Sequence, residues 1–269
     1  MTNSSSAMLE ATMSGLEAGL RVLHIATFNP QFCRPDDDTG QVLDDEALRD
    51  FDYIPVKDGD RCVGVLRRGG GAADGLVCKN MDPLTDSMIV SADAPLRQFI
   101  PIMASEPYRL VVGGPQIQGV VGIVTRSDML KLPVRLLAFT QVTHLEMVMA
   151  EVIRASSPSD EWLARLSEGR RNRVQGKLQG ARDDGIDPPA LEFTDFCDKR
   201  DIVAKLYCPG KSFKDDLKKI EDLRNTVAHA GSYAGTETQL KIFLEALRLT
   251  GSWTDQLHIR LAEPQGAAA

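Results

Sequence analysis

Hydrophobic and polar positions follow two rhythms along this 269-residue chain, a short one up to about residue 132 and a long one after it. In the first part the apolar runs are strand-sized and end at turn residues. Tyr53-Ile54-Pro55-Val56 and Cys62 to Leu66 flank Asp58-Gly59-Asp60, which predicts a β-hairpin over 53–66. Tyr108 to Val112 and Gly119 to Val124 flank Gly113-Gly114-Pro115 in the same way. Met88-Ile89-Val90 reads as a short strand, and Ser91 can cap a helix through Leu96, Phe99, Ile100 and Met103. Thr125-Arg126-Ser127-Asp128 opens a further helix toward Met129 and Leu130. One β-α-β-β-α unit therefore occurs twice, offset by about 58 residues, with Gly64 aligned to Gly122.

Around these units, residues 1–13 read as a loose leader, Ser14 to Ile25 as a short helix, and Asn29 to Asp45 as a mobile loop. From Pro133 the rhythm becomes helical. Val134 to Ile153 predicts one long apolar-rich helix. A second helix starts at Ser159, a third runs from Phe193 to Leu206, and Pro209-Gly210 breaks it. Ser212, with Asp215 three residues on, then opens an amphipathic helix whose buried face is Phe213, Leu217, Ile220, Leu223 and Val227. Gly231 stops it, and Thr236 to Leu249 is the last helix. The expected architecture is α/β followed by all-α, with a repeat domain over 1–132 (copies at about 14–75 and 82–132) and a helical domain over 133–269.

Composition adds limits. Net charge is −7, unevenly placed: residues 1–132 carry 12 Lys and Arg against 18 Asp and Glu, and residues 133–269 carry 19 against 20. Neither half is a bulk polyanion binder, so nucleic acid would need a local patch. The densest one is Arg170, Arg171, Arg173 and Lys177, the candidate RNA-backbone track, which a solvated helical face with nearby counter-charges would equally explain. Five scattered cysteines without a C-x-x-C pair argue for reduced thiols in a cytoplasm and against a zinc site. No apolar run is read as a membrane span, and the first residues do not read as a signal peptide.

Gly119-Val-Val-Gly-Ile-Val-Thr125-Arg-Ser-Asp128 resembles the signature of the CBS domain, and Tyr53-Ile-Pro-Val with Cys62-Val-Gly-Val-Leu resembles a degenerate first copy. The resemblance covers about residues 14–132. It implies a tandem pair with clefts for an adenine nucleotide (AMP, ADP, ATP or a related signalling nucleotide). Thr125 and the helix N-terminal N–H groups would face phosphate, and Asp128 would accept from the ribose hydroxyls; Ser127 and Ile89 are further nucleotide-binding candidates. At the same offsets from Gly64 the first copy has Arg67 and Gly70, so at most one competent site per chain is expected. The plainer alternative is that Thr125 and Asp128 cap a helix.

Arg224-Asn225-x-x-Ala228-His229, at the end of an amphipathic helix, resembles the motif of HEPN domains. Many of these are metal-independent ribonucleases that work as homodimers. The resemblance implies Arg224, Asn225 and His229 as catalytic residues, with Glu146 of the first helix as an acidic support; a merely solvated Glu146 is the alternative. Five helical residues rotate by about 500°, which leaves Arg224 and His229 roughly 140° apart on an undistorted helix. A two-fold partner, or unwinding at Gly231, would bring two such groups to one phosphate. The resulting expectation is a cytoplasmic, nucleotide-regulated endoribonuclease without a metal, in stress or phage defence. Its alternatives are a non-catalytic regulator whose helices dimerise and bind partners, and a module paired with a nucleotidyltransferase.

Overall fold

The computed structural model describes residues 2–70, 74–113, 119–157, 159–207, 211–229 and 231–262. The chain divides into two compact units, Met1–Val134 and Arg135–Ala269.

The first unit opens with helix α1 (Thr2–Gly19), where a loose leader was expected. No Gly or Pro interrupts residues 2–13, so nothing local stops the Ser14 helix from extending backward. Then come β1 (Thr27–Phe28), α2 (Thr39–Asp44), β2 (Tyr53–Asp58), β3 (Arg61–Arg67), α3 (Val77–Asn80) and β4 (Asp82–Pro83). The second repeat supplies β5 (Ile89–Ser91), α4 (Leu96–Phe99) with a 3₁₀ extension to Ala104, β6 (Tyr108–Val112), β7 (Val120–Thr125) and a 3₁₀ turn, Arg126–Leu130. α2 lies inside the expected loop, capped by Asp38, whose carboxylate accepts from the Gln41 N–H at 3.0 Å. The turn at Gly114-Pro115 lies outside the described residues.

The two sheets have the orders β2-β3-β4 and β1-β7-β6-β5, so each repeat lends its leading strand to the other. β1 pairs antiparallel with β7, Phe28 opposite Gly122, and β4 pairs antiparallel with β3, Pro83 opposite Gly64. The segments beside these strands are exchanged too. The Val22 N–H donates to Ala94 O at 3.0 Å, and the Val77 N–H donates to Asp37 O at 3.0 Å. Tyr53 and Tyr108, which begin the corresponding strands β2 and β6, stack with ring centroids 4.6 Å apart. Neither repeat closes its own sheet, so the fold of one depends on the other.

The second unit is helical: α5 (Leu132–Ser156, whose first turn belongs to the first unit), α6 (Glu168–Asp183), α7 (Phe196–Tyr207), α8 (Lys211–Ala228) and α9 (Glu237–Ala262). The helix expected from Ser159 is two pieces, a 3₁₀ turn Asp160–Arg165 and α6, separated at Leu166. α9 continues well past Leu249. α8 begins at Lys211, so Ser212 sits inside its first turn instead of before it. The break at Pro209-Gly210 lies outside the described residues. α5 is long and apolar enough to cross a membrane by length and composition, contrary to the reading above. Its apolar side is the centre of the helical core: Leu137, Val142, Leu145, Val148, Met149, Val152 and Ile153 are all buried. α8 buries the five residues of its periodic stripe, from Phe213 to Val227. Trp253 of α9 packs edge-on against Phe213 and donates to Asp216 at 3.2 Å.

Candidate functional site

The stripe that buries α8 turns Arg224 and Asn225 to the other sides of the helix. Arg224 is half-buried, Asn225 exposed. Glu146 comes from α5 and lies between two cations. One carboxylate oxygen accepts from the Lys199 ammonium at 3.0 Å, and the other is 3.4 Å from Arg224 Nε. Lys199, on α7, is buried and also donates to Thr194 O at 2.8 Å. A single carboxylate shared by two cations leaves the cluster with net positive charge beside the partly exposed guanidinium. That is a setting in which a phosphate oxygen can complete the coordination of Arg224.

His229 is the first residue past α8 and is exposed. Its N–H still bonds Asn225 O at 3.1 Å, while the Gly231 N–H reaches back to Thr226 O at 2.9 Å. This wider bond closes the helix end. A Cβ at Gly231 would stand 3.1 Å from Thr226 Cγ2 and 3.3 Å from Thr226 O, so a side chain there would press on Thr226. Arg135, near the start of α5, donates to Val227 O at 3.1 Å and Gly231 O at 3.3 Å and lies over the Tyr233 ring. Lys199 and Arg135 were missed by sequence reasoning. Each acts through contacts with residues far along the chain, and neither falls in a pattern that spacing reveals.

The basic run divides into two. Arg170 forks onto Asp198 with two bonds of 2.6 Å and reaches Asp195 at 2.7 Å. These bonds hold its proton well above the ordinary arginine range. Burial pushes the Asp195 carboxyl up, but Arg170 outweighs it and the group ends below its usual value. Arg171 donates to the carbonyls of Leu163, Ala164 and Leu166, closing the preceding 3₁₀ turn. The expected RNA track thus narrows to Arg173, 3.4 Å from Asp195 and half exposed, and Lys177, exposed. Asp195, Cys197 and Asp198 bring three ligand atoms within 4.8 Å of one another, but Arg170 already stands against both carboxylates.

In the first unit Thr125 and Asp128 form a capping box. The Thr125 N–H and hydroxyl approach one Asp128 oxygen at 2.6 and 3.1 Å, and Ser127 Oγ is 2.8 Å from Thr125 Oγ1. The other Asp128 oxygen meets Lys131 Nζ at 2.7 Å, and Lys131 also donates to Ile25 O at 2.6 Å. Asp128 is buried, and the helix that Thr125 caps is a short 3₁₀ segment, Arg126–Leu130, with little dipole to offer an anion. Ile89 is half-buried on β5, opposite Leu110. In the first repeat Arg67 holds the place of Thr125: it faces Tyr53 across the hairpin as Thr125 faces Tyr108, and it pairs with Asp82 at 3.5 Å.

Residues 79–135 match the family model of the CBS domain. The chain contains a CBS domain. That match takes in β5 to β7 and the Thr125–Asp128 box, and it does not extend over 14–75. Several solved CBS structures resemble the chain. CBSX2 in complex with AMP is 16% identical, over 44% of this chain and 98% of that one, with a TM-score of 0.37. The CBS domains of a transcriptional regulator from Streptococcus pneumoniae are 22% identical, over 41% and 96%, with a TM-score of 0.35. The CBS domain of a bacterial CNNM/CorC family Mg2+ transporter in complex with ATP is 17% identical, over 47% and 94%, with a TM-score of 0.36. No match was found among curated proteins.

Proposed function

We propose that this protein is a metal-independent endoribonuclease of the HEPN type, acting as a homodimer and regulated by an adenine nucleotide bound to its CBS pair, in a stress or phage-defence response. The observation that carries the reading is the Glu146–Arg224 ion pair at the end of α8, with exposed Asn225 and His229 beside it in the chain. In this reading Arg224 binds a phosphodiester bidentately and stabilises the charge that builds on the phosphorane. His229 takes the proton of the 2′-hydroxyl as it attacks phosphorus, or gives one to the departing 5′-oxygen. The products are a 2′,3′-cyclic phosphate and a 5′-hydroxyl. Asn225 orients the phosphate, and Glu146 fixes the plane of the Arg224 guanidinium. Two protomers facing each other across a two-fold axis would supply both a general base and a general acid.

The nucleotide reading rests on the CBS domain and on Thr125, Ser127 and Asp128, with Ile89 on β5, two strands away in the same sheet. A ribose would take the bonds that Asp128 now shares with Thr125 and Lys131. The test is incubation of the purified protein with total RNA in EDTA, alone and with AMP, ADP or ATP. Cleavage that changes with nucleotide supports the reading. The internal pairing of Arg170 and Arg171 favours a second one, a non-catalytic nucleotide-sensing regulator whose helices serve dimerisation and partner binding. Nucleotide binding without any RNA cleavage would select it.

A further inference from the structure

The two carbonyls that bracket His229, two residues before it and two after, are both held by one side chain. Arg135 Nη1 donates to Val227 O at 3.1 Å and Nη2 to Gly231 O at 3.3 Å. The same guanidinium lies 5.3 Å from the ring centroid of Tyr233, which is buried and stacks in turn on Phe243 of α9. We infer that Arg135 is the positioning residue of His229: its planar fork fixes the turn that carries the imidazole. This rests on the proposed role of His229 as the proton-transferring group.

Three features support it. A helix ends in carbonyls without intrahelical partners, and a cation there is favoured by both hydrogen bonding and the dipole. Here the cation comes from another helix and spans the turn, so it fixes the turn's direction as well as satisfying its oxygens. The site also needs such a device. His229 lies past the last helical residue, and the only other described restraints on its backbone are the bonds to Asn225 and from Gly231 to Thr226. Displacement of a catalytic group by about 1 Å costs roughly 100-fold in rate, so a turn free to move would not serve proton transfer. Finally, the geometry uses a property of arginine that lysine lacks, two parallel donors in one plane that can also stack on an aromatic ring.

The test uses the full-length protein with isotope-labelled histidine. The chain has four histidines, His24, His144, His229 and His258, and His229→Gln assigns the His229 imidazole line. In Arg135→Lys, which keeps the charge and the stem, the His229 line should shift or broaden while the other three stay in place. RNA cleavage by this variant should lose about 100-fold in kcat with little change in KM. Arg135→Met should lose at least as much. A His229 line unmoved in Arg135→Lys overturns the inference. So does a displacement of all four lines together, which would make Arg135 a general structural residue. If the wild-type protein does not cut RNA, the proposed function fails, and the His229 line alone still decides whether Arg135 holds the turn.

Discussion

Gly64 and Gly122 do the same work on opposite repeats of the first unit. A Cβ on Gly64 would stand 2.5 Å from Asp82 O, and one on Gly122 would stand 2.8 Å from Thr27 O. Each glycine lets the other repeat's leading strand lie against its own hairpin. Gly64→Ala and Gly122→Ala should each destabilise the first unit by about 1–3 kcal/mol, the cost of forcing backbone apart in a packed sheet. Gly64 should be the worse, because its contact is closer and Met81 crowds it as well. Gly59→Ala, at a turn with φ +56° and open space around it, is the control for backbone strain alone. Urea unfolding followed by circular dichroism checks all three.

Asp128→Ala should weaken adenine-nucleotide binding by roughly tenfold or more, since a charge-assisted pair of hydrogen bonds to ribose is lost. Because Asp128 also closes the Thr125 capping box and pairs with Lys131, Asp128→Asn is measured beside it. Asn can keep the cap but not the charge. Calorimetric titration of wild type and both variants is the measurement, and unchanged affinity would put the nucleotide elsewhere.

Alkaline pH should reveal the buried tyrosines. Burial pushes the hydroxyls of Tyr108 and Tyr233 up to about 12. A raised pKa means that the unfolded chain loses its protons first, near pH 10. The stability these groups contribute is therefore full below about pH 10 and is lost as pH climbs toward 12. Tyrosinate absorbance should go on rising toward pH 12, with this late rise accompanied by unfolding. A single stage at the ordinary tyrosine value, with the fold intact, would contradict the packing around both rings.

Arg170 and Lys177 should behave differently although both belong to the basic run. Arg170→Gln leaves the buried Asp198 carboxylate without its cation, holding only the Asp195 N–H, and should cost about 3–5 kcal/mol. Lys177→Gln removes an exposed charge and should change stability by no more than about 0.5 kcal/mol. If the helical unit binds RNA, Lys177→Gln should weaken it and flatten its salt dependence. Thermal melts and filter binding at several salt concentrations test the pair.

Much of this architecture is visible in the residues. The stripe from Phe213 to Val227 lies on one helix and needs no tertiary knowledge to be read. The two hairpins and the aligned glycines are visible for the same reason, since turn chemistry and alternation are local. The exchange of leading strands is not legible: Thr27–Phe28 and Asp82–Pro83 are two residues each, too short for any period, and they are strands only because the other repeat pairs with them. The Thr125–Asp128 spacing reads as a capping box or a nucleotide site, and spacing alone cannot separate them, because Lys131 reaches Asp128 only once the chain has turned. In the helical unit Arg224 and His229 stand out as a motif. Lys199 and Arg135, which hold Glu146 and the His229 turn, do not, since long-range contacts leave no mark in the local pattern.

The most direct measurement is RNA cleavage in EDTA by wild type and His229→Ala, with melting temperature taken on the same preparations. His229 is exposed, so its loss should leave the melting temperature within the small range of surface substitutions. Cleavage should fall by roughly 100- to 10,000-fold, the usual cost of removing a general acid or base. Arg224→Lys should fail as well, because a point charge does not reproduce the planar fork. A wild-type protein inert on RNA with every nucleotide tried, together with an early-melting His229→Ala, would contradict the account and leave the helical unit as an interaction module.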